Sequence, residues 1–233
     1  MKLPFCLIVV LFGFSLLRIH AVDIVSEKAD RALYEIYDLR TKTAQRIIDE
    51  ERKRDPGNLY YEYLENWKQV IELLVYTDDE RYKSYLESLD KRLERIMEEG
   101  DKTSPSYHIL LGEIYAHAAM AHVMYGDYLP AFRKLLKAKR NAYKNLEEHP
   151  GYWLNDKLVG IMNVSFDKIP SVLRWLTNLF GLRGDAESGF RMMDQYLSHV
   201  QDYPGLKSEA LIYKVFTMKM EKDEEGAYQM LQK

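Results

Sequence analysis

The chain has 233 residues, 47% of them hydrophobic, with 33 basic and 36 acidic side chains for a formal net charge of −3. That near balance supplies no general positive field for nucleic acid, and a single cysteine, Cys6, excludes an internal disulfide framework. The length suits one domain with a large core or a short repeat array, and no Ser-, Gly- or Pro-rich linker divides it.

Lys2 precedes an apolar run from Leu3 to Leu17, and Ala21 offers a signal peptidase a place to cut. The run is shorter than the roughly 20 residues that span a bilayer, and Arg18 and His20 interrupt its extension. Residues 1–21 therefore read as a cleaved signal peptide, with a retained anchor as the alternative because Ile19 is bulky for a cleavage site. Cys6 lies inside the run and not after it, which is wrong for a lipid-modified cysteine. Cleavage removes Lys2, Arg18 and Cys6, taking the net charge from −3 to −5 and leaving 22–233 as a single helical repeat domain stabilised by packing alone. The expected location is the periplasm or cell envelope, with the extracellular space as the second choice.

Helical periodicity predicts one helix from near Ser26 through Leu33 and Ile36 to Ile48, stopped by the turn from Arg54 to Asn58. A second helix carries Tyr60, Tyr63, Leu64, Trp67, Ile71 and Leu74 on one face, and Thr77 to Glu80 reads as a capping box. The third spaces Tyr82, Leu86, Leu89, Leu93 and Ile96, and is closed by Gly100. Ser104 and Pro105 open the next helix as cap and first residue. From His108 to Leu146, the spacing of Leu111, Gly112, Tyr115, Tyr128 and Ala131 resembles a tetratricopeptide helix pair, with Gly112 allowing close approach and Gly126 and Asp127 forming the turn; an unrelated helical hairpin is the alternative. Ser208 to Met220 and Glu224 to Leu231 form a shorter pair suited to capping a stack.

The most specific segment is 160–189. Gly160 precedes Pro170, a leucine-rich run through Leu173 and Leu176, then Phe180, Gly181, Gly184, Asp185 and Gly189. This resembles the corresponding segment of the tetratricopeptide-like family that includes the inclusion body clearance protein of the mitochondrial outer membrane, over about residues 105–230. The resemblance implies a helical repeat scaffold working through contacts, with no catalytic residues to carry over. This chain is much shorter than that family and begins with an export signal, so mitochondrial location and inclusion clearance do not transfer.

Catalytic patterns are weak throughout. The turn at Gly181 to Asp185 lacks the lysine and hydroxyl residue of a P-loop, and the Asp185 carboxylate opposes a phosphate. Glu113 and His117 share a helical face, but zinc needs three or four ligands and His122 is turned away. The adjacent acids Asp78 and Asp79, Glu98 and Glu99, and Glu147 and Glu148 point in different directions on a helix and suit solvation. No catalytic residue, metal or cofactor is therefore assigned.

Binding has more support. Eighteen tyrosines and three tryptophans offer broad faces with polar edges. Tyr63 and Trp67 share the core stripe; Tyr61 lies off it and is the candidate surface contact. Arg133, Lys137 and Arg140 line a basic run, and Arg183 sits in the glycine turn. The Val172 to Phe180 helix is read as buried, with peripheral membrane contact as its alternative. The sequence thus predicts an all-α protein of antiparallel helix pairs, a tetratricopeptide-like solenoid or compact superhelix. Its expected function is a non-catalytic, exported scaffold for a protein, peptide or envelope component, with no nucleic acid partner. The alternative is a small-ligand-binding protein or hydrolase whose site forms only on folding. Oligomeric state stays open.

Overall fold

A computed structural model describes residues 24–169 and 178–232. The signal segment 1–21 and residues 172–177 of the helix expected at Val172 to Phe180 lie outside the described residues; the described end of that helix is corrected, since Leu179 and Phe180 are exposed and not buried. Those residues form ten α-helices and no strand: α1 Glu27–Tyr37, α2 Thr41–Arg54, α3 Tyr60–Tyr76, α4 Asp79–Glu99, α5 Pro105–Met124, α6 Tyr128–Glu148, α7 Leu154–Asp167, α8 Ala186–His199, α9 Pro204–Met220 and α10 Glu224–Leu231. The all-α expectation holds. Among the described residues no helix is long and apolar enough to cross a membrane.

Two local expectations are corrected. The first predicted helix is two, because Leu39 adopts a left-handed backbone (φ 59°) that reverses the chain between α1 and α2. Neither glycine nor proline marks that break. The cap of α4 is Asp78 and not Thr77: the Asp78 carboxylate accepts from the N–H groups of Glu80 and Arg81, while Thr77 ends α3 in a left-handed conformation. Ser104 and Asp185 cap α5 and α8 as their positions predict.

The pair α5–α6 is the most extensively packed. On α6, Ala131, Ala138 and Ala142 present small side chains to α5, and a Cβ at Gly112 would stand 3.5 Å from the Ala138 carbonyl and 2.7 Å from Leu158 of α7. The glycines of the 160–189 segment have a similar role. A Cβ on Gly189 would meet the Gly160 carbonyl at 2.7 Å, and one on Gly160 would meet the Gly189 carbonyl at 3.1 Å, so α7 and α8 cross backbone to backbone. Helix α5 is buried almost all round because α3, α4, α6 and α7 surround it.

The two ends of the described chain meet. Helix α1 packs on α9, and a Cβ at Gly205 would collide with the backbone of Asp30 and Tyr34. The buried Asp30 carboxylate accepts from the N–H groups of Gly205 (3.1 Å) and Leu206 (2.9 Å), so α1 supplies the cap of α9 from 175 residues away.

Candidate functional site

The interior holds a polar cluster assembled from six helices. Lys157 of α7 lies 3.1 Å from Glu113 of α5 and 3.0 Å from Glu209 of α9, and none of the three side chains is more than 4% exposed. Glu209 also accepts hydrogen bonds from Tyr37 of α1 (3.3 Å), Tyr63 of α3 and Tyr196 of α8 (2.8 Å). His117, one turn beyond Glu113, stacks on Trp67 with centroids 4.3 Å apart and has its Nδ1 3.2 Å from the Asn66 amide. The amide donates there, which places the imidazole proton on Nε2, 3.8 Å from Glu113.

Burial sets the charges of this cluster. It pushes the Glu113 carboxyl up to about 7, with Lys157 opposing and Glu209 reinforcing the shift. It drives His117 well below its ordinary value, helped by Lys157. Burial works against the Lys157 ammonium too, but Glu113 and Glu209 outweigh it and hold its pKa high. The Tyr37, Tyr60, Tyr63, Tyr196 and Tyr213 phenols are raised far above 10 by burial and then by Glu209. The cluster is therefore a neutral imidazole beside a lysine shared by two carboxylates, surrounded by protonated phenols. It has the residue types of an acid–base site, but Glu113, His117, Lys157 and Glu209 are all buried, so a substrate would reach them only by parting the helices.

A cleft between α4 and α6 is open instead. Both helices pack on α5, yet no Cα of one comes within 8 Å of a Cα of the other. The gap encloses about 530 Å³, lined by Leu86, Leu89 and Asp90 of α4, His122 of α5, and Pro130, Arg133, Lys134, Leu136 and Lys137 of α6. Tyr115 of α5 lies beneath the basic rim, with the Lys134 and Lys137 ammonium groups 5.7 and 5.3 Å from its ring centroid. Asp90 is 3.8 Å from Lys134 and 83% exposed.

At one end of the cleft the Tyr82 hydroxyl lies 2.6 Å from both Asp127 Oδ2 and His122 Nδ1. Its one proton goes to the carboxylate, so His122 carries its proton on Nδ1 and keeps Nε2 as an acceptor. Burial, then Lys134, lowers the His122 pKa, and Asp127 opposes them. Burial and Asp127 raise that of Tyr82.

The structure separates the five residues singled out in the sequence. Arg133 and Lys137 both line the cleft, and Arg140 is exposed farther along α6, outside the lining. Arg183 is exposed in a turn whose Phe180 ring meets Phe132 edge-on at 4.9 Å, on another flank of α6. Tyr61 is corrected: it is only 2% exposed, because α3 contacts α1, α2, α4 and α5 and buries more than the single stripe that periodicity marks. Sequence reasoning did not assign Leu86, Leu89 and Lys134 to a site, their only signal being the apolar face of α4 and the basic run of α6, and it weighed His122 of α5 only as a metal ligand. Among the described residues no group of three or more His, Cys, Asp or Glu side chains is placed to hold a metal. No protein-family model, curated protein or solved structure matches the chain.

Proposed function

We propose that the protein is a non-catalytic helical scaffold that binds a segment of another polypeptide in the cleft between α4 and α6, in an exported compartment of the cell. The observation that carries this reading is the cleft itself: apolar at its base, cationic at its rim, and left unfilled by the described part of the chain. Burying a partner's aliphatic side chains against Leu86, Leu89 and Leu136 supplies affinity, and Arg133, Lys134 and Lys137 select what enters. Sealing of the interior charges favours binding over catalysis, and the close α5–α6 pair supports the tetratricopeptide-like part of the reading.

The test is site-specific photo-cross-linking in the native host, with a benzophenone side chain at Leu86 or Leu136 and, as control, at exposed Asp49 on α2. A discrete polypeptide captured from the cleft positions and not from the control supports the scaffold; no cleft-specific product overturns it. Fusion of residues 1–30 to a reporter active only after export tests the location, and an inactive fusion sinks that part.

A further inference from the structure

We propose that the occupant of the cleft is an acidic amphipathic helix, with aliphatic residues on the face it buries and carboxylates along its flanks. This rests on the binding reading above and adds the chemistry of the partner.

Shape argues for a helix. The described residues offer no strand, so an extended segment in the cleft would find no sheet edge to pair its backbone groups, whereas a helix satisfies its own. The walls are themselves two helices resting on a third, bridged at the rim by Asp90 and Lys134, and a fourth helix would lie along the gap between them. The lining of α6 runs from Pro130 to Lys137, about 10 Å or two turns at a helical rise, and that of α4 covers Leu86 to Asp90. Two turns engage anchors at i, i+4 and i+7 of a docked helix, matching the aliphatic floor of Leu86, Leu89 and Leu136.

Charge argues for acidity. The lining carries three cations, Arg133, Lys134 and Lys137, against one carboxylate, Asp90, which projects into solvent and is 3.8 Å from Lys134. Lys134 and Lys137 share the ring of Tyr115, and the side chain of Lys134 is only 20% exposed, so two ammonium groups converge on one ring with one acid in the lining to balance them, Asp127 beyond its end being engaged by Tyr82. Carboxylates on a docked helix complete that balance, and a basic helix is repelled. The exposed Tyr128 and Leu129 extend the apolar surface past the Pro130 end of the cleft.

The experiment uses the full chain and fluorescein-labelled synthetic 18-residue helices with leucines at i, i+4 and i+7, flanked either by glutamates or by lysines. Fluorescence anisotropy is expected to show saturable binding of the glutamate peptide, weakened by added salt, and about tenfold weaker binding of the lysine peptide. The double reversal Arg133→Glu with Lys137→Glu alters exposed positions and is expected to keep the fold by circular dichroism while inverting that preference. Leu136→Ser is expected to weaken both peptides. Equal binding of the two peptides, or a preference that the double reversal leaves unchanged, overturns the acidic partner. Binding of anionic vesicles in place of either peptide overturns it in favour of a membrane. Failure here with cleft-specific cross-links in the host removes this inference alone; failure of both removes the scaffold reading as well.

Discussion

Glu113 and His117 stand one turn apart on α5 and carry opposite pH dependences. Burial raises the Glu113 pKa from 4.5 to about 7, so its contribution to stability is fully present below 4.5 and is lost as pH rises through about 7. His117 is depressed well below 6.5, so the folded state loses stability as pH falls below that value. Urea denaturation of Glu113→Gln and wild type across this range separates the two. The variant should gain on wild type by about 3 kcal/mol between pH 4.5 and 7, because over that range the unfolded glutamate ionises while the folded one keeps its proton, and a glutamine does neither; a constant difference refutes the assignment. Lys157→Met leaves Glu113 and Glu209 buried without their cation and should cost about 3–5 kcal/mol at neutral pH, read from the same curves. The sequence revealed that Glu113 and His117 share a face, but not that Lys157 and Glu209, 44 and 96 positions beyond Glu113, would join them.

At the scale of the helices, glycine placement explains the segment that stood out in the sequence. Gly160 and Gly189 let α7 and α8 meet backbone to backbone, and a Cβ on Gly184 would collide with the end of α7. Ala is the better helix former, yet Gly189→Ala should destabilise by about 1–3 kcal/mol, since its methyl faces the Gly160 carbonyl and the Val164 backbone. Gly151→Ala, with nothing within 4 Å, should change the thermal midpoint little. Similar shifts for both would deny the close crossing. Turns and caps with a local chemical signal, such as Ser104 with Pro105 and Asp185, were legible residue by residue. Leu39 was not, because its left-handed turn has no glycine; it is closed by the Arg40 N–H donating to the Glu35 carbonyl and by the Arg40 guanidinium on the Glu35 carboxylate, a pairing no turn motif marks.

The whole molecule is closed through α1 and α9. An array in which each helix pair touches only its neighbours can lose its ends separately. Here the Asp30 carboxylate ties residues 175 positions apart, and the Glu209 phenol shell joins α1, α3, α8 and α9. Unfolding followed by circular dichroism and by tryptophan fluorescence should therefore give coincident transitions, and distinct midpoints would count against closure. Asp30→Ala removes the acceptor of two buried N–H groups and should cost about 1–3 kcal/mol, with faster hydrogen exchange concentrated in α1 and α9.

The helical class, most helix boundaries, the small residues at the tight crossings and the basic character of α6 are readable along the chain. Those properties are local: periodicity, capping and side-chain size act within a few residues of where they are read. The burial of Tyr61, the position of Lys157 between two carboxylates, and the cleft that Arg133 and Lys137 share with Leu86 and Leu89 while Arg183 faces elsewhere arise from the packing of the helices. Each of these depends on which faces of distant helices meet, and an amphipathic stripe marks a face for burial without naming what will bury it.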